Sequence, residues 1–436
     1  MNRLMKHILA AALLAISVAA CRGEAPKPDQ GQIDAIARDY VLLSLEIGEK
    51  EEGYIDAYYG PPELQAQAKA EAAKLSPADL ARQVQALRGR VAALPADGDS
   101  LEARRVRFLA AQLTAAATRL RMMQGEKLSF ADEAKGLFGV VPDIKPIESY
   151  DPVLARIETL VPGTGPLPER MEAFQNRFNI PTDRLKPVFD AAIAECKRRT
   201  LGHIALPKNE SFTLEFVTGK SWSGYNYYKG NAHSLIQVNT DLPIRISRAV
   251  DLGCHEGYPG HHVLNALLEE KLTKGKGWIE FSVYPLYSPQ SLIAEGSANY
   301  GIDLAFPGDD QLKFETATIY PLAGLPTADA AKYLALTKAM KDLAGARFTI
   351  ARDYLEGRIN REQAVRLSQK YQLQSKERAE KSLSFTDQYR TYVINYGLGQ
   401  DMVRAYVEAA GNDPKAKWAR MEKILSEPTL PSDLTK

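Results

Sequence analysis

Residues 254–263 read CHEGYPGHHV, which places three of the chain's six histidines close together and beside a glutamate. Imidazoles and a carboxylate at this density are typical of a metal site. His255 and Glu256 are adjacent, as in the H-E-x-x-H pattern, where the histidine binds zinc and the glutamate faces the water that it activates. The stretch therefore predicts a metal-binding segment with His255 as its first ligand.

The second ligand does not follow at the familiar spacing, because Pro259 stands four residues after His255. On a regular helix His261 would lie about 120° away from His255, and His262 would be in line but about 10.5 Å along the axis. Proline disrupts a helix and glycine adopts conformations closed to other residues, so we expect a bulge at Pro259 and Gly260. A bulge that absorbs two residues makes His261 the preferred second ligand, with His262 as the alternative.

A third ligand is expected from Glu295, in the segment SLIAEGSANYGIDL. Glu295 is the only acid of this segment before Asp303, and it follows His262 at a distance that lets the helix predicted over 244–273 end and a second helix return. The glycine and alanine after Glu295 would let the two helices approach closely. Three protein ligands and an open fourth position are the arrangement of a catalytic zinc, so we expect one Zn²⁺ per chain.

The rest of the chain is predominantly helical in pattern. Segments 61–125 and 327–382 are rich in residues with a low helical cost, and a first helix is predicted over 32–47. Helix-start signals occur at four further places, namely Ser76, Ser129, Thr327 and Ser384. The sequence therefore predicts a mainly α fold.

One stretch, residues 211–240, breaks the helical rhythm. SFTLEFV and SLIQVN alternate apolar and polar residues, and an aromatic-rich segment joins them. We expect two short strands that form a hairpin beside the metal-binding helix. The edge of such a hairpin could bind an extended peptide through main-chain hydrogen bonds.

The N-terminus predicts export. Residues 1–20 combine Arg3 and Lys6 with a short apolar run, as in a signal peptide, and V-A-A-C at its end indicates that Cys21 is acylated. An ordinary secretory signal is the alternative. Arg22 after the cysteine favours the periplasmic face of the outer membrane. We expect a lipidated tether over 21–30 and a single two-lobed domain over 31–436.

Composition excludes some partners and leaves others open. The chain has 55 basic and 54 acidic residues, so no bulk charge attracts nucleic acid. Besides Cys21 the only cysteines are Cys196 and Cys254. Export permits a disulfide between them, and two buried free thiols are the other interpretation.

The string HEGYPGHH from His255 to His262, followed by Glu295-Gly296 with Ala298 and Tyr300, resembles a bacterial family catalogued as domain of unknown function number 885. Its pattern reads H-E-x-x-P-G-H-H and then E-G-x-A-x-Y. That family is similar to helical zinc peptidases with H-E-x-G-H and a glutamate third ligand. The resemblance implies a large helical zincin-like metallopeptidase fold with a small hairpin or sheet beside the active-site helix, and it favours His261 as the second ligand.

The resemblance also implies roles for other residues. Tyr396 is the first candidate to stabilise the oxyanion, and three side chains stand behind it, namely Arg390, Tyr392 and His233. Substrate would be held along the hairpin edge by Tyr227, Tyr228 and Asn239. The chain departs from the family at Ser297, where tryptophan is usual, and at Tyr392, where glutamine is common. Both departures could reshape the substrate pocket.

Three functional classes follow from these patterns. The first is a zinc-dependent peptidase of the bacterial envelope with Glu256 as the general base, which uses every feature above. The second is a zinc amidase that acts on a non-protein amide such as a cell-wall fragment. The third is a lipoprotein that uses the scaffold for binding without turnover, and an intact Glu256 argues against it.

Overall fold

A computed structural model describes residues 28–435. The predicted signal peptide, Cys21 and most of the tether lie outside the described residues. Helix α1 begins at Gln30, at the end of the predicted tether. Within the described residues, no helix is both long and apolar enough to cross a membrane.

Helices form most of the structure, as the sequence predicts. The α-helices are α1 (Gln30–Lys50), α2 (Pro62–Ala72), α3 (Pro77–Ala92), α4 (Leu101–Met123), α5 (Phe130–Phe138), α6 (Asp151–Leu160), α7 (Leu167–Asn176), α8 (Leu185–Leu201), α9 (Ser247–Leu252), α10 (His261–Leu268), α11 (Pro289–Ala305), α12 (Asp310–Phe314), α13 (Tyr320–Ala323), α14 (Ala330–Lys341), α15 (Ala344–Leu355), α16 (Arg361–Tyr371), α17 (Lys376–Tyr389), α18 (Ile394–Glu408) and α19 (Pro414–Ser426). The mainly α fold class is confirmed.

Two of the four helix-start signals act as side-chain caps. Ser76 forms a capping box at the start of α3, and Ser129 caps α5. The signal at Thr327 precedes α14, which begins after Asp329. The prediction at Ser384 is wrong, because α17 already begins after its own cap, Ser375, and runs through Ser384. A capping sequence inside a helix is overridden when the helix has started a few turns earlier.

The strands form two small sheets. Strand β1 (Ile55–Tyr58) pairs antiparallel with β5 (Val283–Pro285), and a three-stranded sheet contains β2 (Ser211–Val217), β3 (Gly224–Gly230) and β4 (His233–Asn239) in the order β2-β4-β3. The three-stranded sheet lies beside the interrupted helix that carries His255. Asn226 of β3 joins the two, since its side-chain amide donates a hydrogen bond to the main-chain oxygen of Glu256 at 2.7 Å.

The predicted pairing of SFTLEFV with SLIQVN as a hairpin is wrong. These two segments, β2 and β4, are neighbours but run parallel. The aromatic-rich connection between them is itself a strand, β3, and pairs antiparallel with β4. Tyrosines favour extended structure, and the tight turn after Gly230 places Asn231 and Ala232 in the left-handed region, with φ of 58° and 54°.

The helix predicted over 244–273 is interrupted rather than bulged. Helix α9 leads into a π-helical turn over Gly253–Gly257, and Tyr258 then leaves the helix in an extended conformation, with φ −128° and ψ 116°. A cis peptide bond joins Tyr258 to Pro259, and α10 begins at His261. Pro259 and Gly260 predict the position of the irregularity correctly. The irregularity itself is a complete break in the helix and not a bulge within it.

Helix α11 is the central helix of the described structure, since all of its residues except Asn299 and Asp303 are buried. It packs against α18 at Gly296, where a Cβ would lie 2.4 Å from the main-chain carbonyl atoms of Gly399. Gly296 therefore makes a close helix contact, but with α18 and not with the helix over 244–273 that the sequence predicts as its neighbour. It fixes the depth of the helix that carries Glu295.

We expect Gly296→Ala to lower the free energy of unfolding by about 1–3 kcal/mol, because the new methyl group meets main chain that cannot rotate away. Gly89→Ala is the matched control: Gly89 lies inside α3 with nothing within 4 Å of the added Cβ. That variant should gain about 0.5–1 kcal/mol from its lower helical cost. Urea titrations of both variants measure the difference, and equal midpoints would contradict this packing.

A disulfide joins Cys196 of α8 to Cys254 in the π-helical turn, with a Cα–Cα distance of 5.4 Å across a sequence separation of 58 residues. The sequence left open a disulfide or two buried free thiols, and the structure shows the disulfide. It ties the residue directly before His255 to a neighbouring helix. Gly253 packs on the same helix, since its Cβ position lies 3.3 Å from the side chain of Ile193.

Replacing both cysteines by alanine should lower the free energy of unfolding by about 4 kcal/mol, because a cross-link across a loop of this length restricts the unfolded chain. Denaturant unfolding of the oxidised protein, the reduced protein and the double variant measures it. A midpoint that is unchanged by reduction would contradict the expectation.

Candidate metal centre

Three donor atoms from different parts of the chain meet at one point. His255 Nε2 lies 3.1 Å from His261 Nε2 and 3.3 Å from Glu295 Oε2, and the distance from His261 Nε2 to Glu295 Oε2 is 3.8 Å. Zinc bonds of about 2.0–2.2 Å at tetrahedral angles hold ligand atoms about 3.4 Å apart. The three distances bracket that value, so the cluster has the size of a three-ligand zinc site.

The orientation of His255 is set by hydrogen bonds. Its Nδ1 donates to Asn299 Oδ1 at 3.1 Å, and Asn299 Nδ2 donates to the main-chain oxygen of Tyr396 at 3.1 Å. The second bond fixes which end of the Asn299 amide faces the imidazole. With its proton on Nδ1, His255 turns the lone pair of Nε2 toward the other two donors, as a metal ligand requires.

The chemistry of the donor set fits a cation. Glu295 is buried, its Oε1 accepts a hydrogen bond from Tyr392 at 2.8 Å, and its Oε2 accepts none. Burial lowers the pKa of His261 to about 4, so this imidazole is neutral at pH 7 and able to bind a metal. Electron-rich atoms this close repel one another, and a bound divalent cation would satisfy all of them.

Glu256 lies next to the cluster without being part of it. Its Oε1 is 4.0 Å from His255 Nε2, and a Cβ on Gly224 of β3 would lie 2.9 Å from the same oxygen. Burial raises the pKa of Glu256 to about 7. A carboxyl group with that pKa beside a metal site can both accept and return a proton near neutral pH.

The adjacent histidines His261 and His262 point to different places. His262 is fully buried, with Nε2 3.0 Å from Glu210 Oε2 and Nδ1 2.8 Å from Ser234 Oγ. Both of its ring nitrogens are thus occupied by the protein, and His262 is outside the metal cluster. The structure therefore selects His261 from the two alternatives, because successive residues of α10 differ in direction by about 100°.

A cleft of about 730 Å³ opens onto the cluster. It is lined by the three donor residues and Glu256, and by three more residues named from the sequence, namely Asn239, Tyr392 and Tyr396. Tyr396 has a free hydroxyl group, since no described residue hydrogen-bonds it. Burial raises its pKa well above the usual range, which keeps the hydroxyl proton in place as a donor.

Four residues predicted to hold substrate or the oxyanion do not line the cleft, and those assignments are corrected. Arg390 binds Glu133, with its Nε 2.8 Å from Glu133 Oε2. Tyr228 donates to Glu269, and the ring of Tyr227 packs on Tyr225. His233 lies at the start of β4, 3.1 Å from Ser211 Oγ. Alternation along β3 accounts for Tyr228, which faces the side opposite to Tyr225. Tyr227 shares the face of Tyr225 but lies two residues farther along the strand and is not among the residues that line the cleft.

Asn239 does line the cleft, but its side-chain amide is used by the protein. Its Nδ2 donates to the main-chain oxygens of Lys220 and Trp222, so it shapes the loop before β3. Ser297 is buried away from the cleft and donates to the main-chain oxygen of Ala294. Of the two departures from the family pattern, only Tyr392 therefore lies at the site.

Several site residues were missed from the sequence. Asn299 had a usable signal, because it follows Glu295 by four residues and so shares its helix face. Asp56, whose carboxylate accepts a hydrogen bond from Tyr225, and Arg347 had none, since each comes from a distant element that only the fold brings to the cleft. Gly224 likewise stands out only once β3 is placed against Glu256.

Comparisons with known proteins are sparse. No protein-family profile matches the chain, and no curated protein matches it. The crystal structure of "the putative lipoprotein from Colwellia psychrerythraea" is similar, with a TM-score of 0.51 and 14% identity over 84% of this chain and 70% of that chain. The two proteins share a fold.

A second solved structure, an M32 carboxypeptidase from Deinococcus radiodurans R1, superposes with a TM-score of 0.37 and 12% identity over 91% of this chain and 89% of that chain. A score at this level carries no conclusion about the present chain. The fold and the site thus define a mainly helical protein with a buried His-His-Glu cluster at a cleft.

The metal site can be tested with four alanine variants and zinc. We expect one zinc per purified chain, and more than about a hundredfold weaker zinc binding in His255→Ala, His261→Ala and Glu295→Ala, since each removes a ligand. His262→Ala should keep its zinc and instead lose about 1–3 kcal/mol of stability, because Glu210 loses a buried partner. Metal analysis and competition with a chelator measure the affinities. Loss of zinc in His262→Ala at unchanged stability would overturn this assignment.

Proposed function

We propose that this chain is a zinc-dependent peptidase that is exported to the bacterial envelope. The observation that carries the proposal is the convergence of His255, His261 and Glu295 beside Glu256 at a cleft. The donor set suits zinc, because two imidazoles and one carboxylate leave a fourth position open. The family resemblance of HEGYPGHH supports the same reading.

The residues divide the work of peptide hydrolysis. A zinc ion held by the three ligands would polarise the scissile carbonyl and activate a water molecule. Glu256 takes the proton from the attacking water and returns it to the leaving amine. Asn299 keeps His255 in the tautomer that can ligate, and Tyr392 holds the position of the Glu295 carboxylate.

Tyr396 is the proposed donor to the developing oxyanion. It lines the cleft with the metal ligands, and its hydroxyl group makes no hydrogen bond to a described residue. A donor that the protein already holds in place stabilises negative charge better than mobile water does. Substrate would lie along the start of β3, where Ser223, Gly224 and Tyr225 line the same cleft.

Export is supported by three features. The N-terminal pattern ends at Cys21 as in a lipoprotein, and the Cys196–Cys254 disulfide suits an oxidising compartment. The Colwellia protein that shares the fold is described as a lipoprotein. We propose attachment through lipidated Cys21 to the periplasmic face of the outer membrane.

Glu256→Gln is the sharpest test of the mechanism. The variant should bind zinc as the parent does, because Glu256 is not in the donor cluster, and it should lose about 10²- to 10⁴-fold in kcat, since the amide cannot accept a proton. Glu215→Gln is the control: Glu215 is exposed on β2, its carboxylate accepts a hydrogen bond from Gln237, and it is not among the residues that line the cleft.

The measurement is hydrolysis of a peptide library and of cell-wall fragments by the zinc-loaded protein, with metal content determined on the same samples. Cleavage of peptides that is abolished in Glu256→Gln and kept in Glu215→Gln supports the peptidase. Cleavage of wall fragments alone would replace it by an amidase. Zinc binding without turnover of either substrate class would contradict the proposed hydrolytic role.

A further inference from the structure

The wall of the cleft beyond the metal cluster is positively charged. Seven basic and four acidic side chains line the cleft. Three of the acids, Asp56, Glu256 and Glu295, belong to the metal end, and the fourth, Asp251, forms an ion pair with Arg248. The part of the cleft that would hold substrate therefore carries an excess of cations.

Four of the seven cations are neutralised by the protein's own carboxylates, namely Arg245, Arg248, Lys341 and Lys381. The remaining three, Lys338, Arg347 and Arg378, form no ion pair with any described residue. Lys338 is exposed, where water solvates an ammonium group well. The two guanidinium groups are partly buried. Arg378 donates one hydrogen bond to the main-chain oxygen of Pro243 at 3.2 Å, and Arg347 lies over the rings of Phe385 and Tyr396.

Arg347 is the one that faces the metal end of the cleft. Its guanidinium carbon lies 5.6 Å from the ring centre of Tyr396, and its Nε is buried without a hydrogen-bond partner. The Tyr396 ring is in turn 5.9 Å from the ring of Tyr392, which hydrogen-bonds Glu295. Arg347 is thus separated from the metal ligands by two aromatic rings.

Among the described residues, Arg347 has two aromatic rings, Phe385 at 5.3 Å and Tyr396 at 5.6 Å, and no carboxylate as neighbours of its charge. Burial lowers its pKa, and the fields of Tyr396 and Glu295 only partly oppose this effect. Burial lowers the pKa of Arg378 too, and the nearby Arg245 adds to the effect. A guanidinium group in this position is stabilised by an anion, and a carboxylate matches its planar fork with two parallel hydrogen bonds.

We propose that Arg347 binds a carboxylate of the substrate, so that the enzyme selects peptides with a carboxylate close to the scissile bond. This inference rests on the proposed function. Because Arg347 stacks over Tyr396, the proposed oxyanion donor, the bound carboxylate lies within about two residues of the scissile amide, at about 3.5 Å per residue. It is either the C-terminal carboxylate or the side chain of an aspartate or glutamate, and Arg378 extends the same positive wall.

The test uses matched peptides and three variants of the zinc-loaded protein. Each peptide is made with a free C-terminal carboxylate, with a C-terminal amide, and as the amide with glutamate or glutamine at each position near the cleaved bond. The variants are Arg347→Gln, Arg347→Lys and, as a control, Arg82→Gln on the exposed surface of α3. The values of kcat/KM are compared pairwise.

The wild type and Arg82→Gln should prefer one carboxylate-bearing form by about tenfold to a hundredfold, the value of a charge-assisted hydrogen bond. Arg347→Gln should lose that preference, because its kcat/KM should fall more on the carboxylate-bearing form than on the neutral form. Arg347→Lys should keep a part of the preference, because it retains charge without the fork. Whether the preference follows the chain end or the side chain identifies the source of the carboxylate.

An equal loss on carboxylate and neutral peptides in Arg347→Gln, or a wild type without any preference, would overturn the proposal while peptide hydrolysis itself stands. Binding of the same peptides to zinc-loaded Glu256→Gln, measured by fluorescence anisotropy, separates the two questions. A carboxylate preference in binding that Arg347→Gln abolishes supports this site even if no peptide is cleaved, which would be the failure of the proposed function alone.

Discussion

The approach of Gly260 to the preceding turn is the constraint on which the site depends. The Gly260 N–H donates to the Cys254 oxygen at 3.1 Å, and a Cβ at this position would lie 1.7 Å from the His255 oxygen. No other residue fits there without moving main chain. Because the chain folds back so tightly, His261 starts a new helix with its imidazole 3.1 Å from that of His255.

Contacts with α8, Glu210 and β4 stabilise the segment from Cys254 to His262, where the chain folds back. The disulfide fixes Cys254 to α8, and His262 ties the start of α10 to Glu210 and to the central strand β4 through Ser234. The third ligand comes on α11, whose depth is set by the contact of Gly296 with Gly399. Two neighbouring histidines thereby have different tasks, since one faces the cleft and the other anchors the loop behind it. Such rigid support is what keeps donor atoms within a few tenths of an ångström of a metal geometry.

Much of the fold could be predicted because it depends on local signals. Short stretches of sequence encode the helical composition, the caps at Ser76 and Ser129 and the break at Pro259. The errors arose where partners are distant. The β2 and β4 segments have the alternation of strands, but alternation does not encode direction, and the strand β3 between them made their pairing parallel. Arg390 is a predicted candidate for the oxyanion, whereas Glu133 of α5 binds it.

By itself the sequence determined a mainly helical chain and predicted a metal-binding stretch at His255 and Glu256, because the density of candidate ligands and the glutamate next to a histidine are local properties. It also named Glu295 from its place in an apolar helix. Only the tertiary structure decided that His261 rather than His262 completes the cluster, that Asn299 and Tyr392 support it, and that Arg347 lies in the cleft without a carboxylate partner among residues 28–435. These arrangements depend on the angle at which the chain leaves Gly260 and on the relative positions of helices that are far apart in sequence. Tertiary packing sets both the angle and those positions.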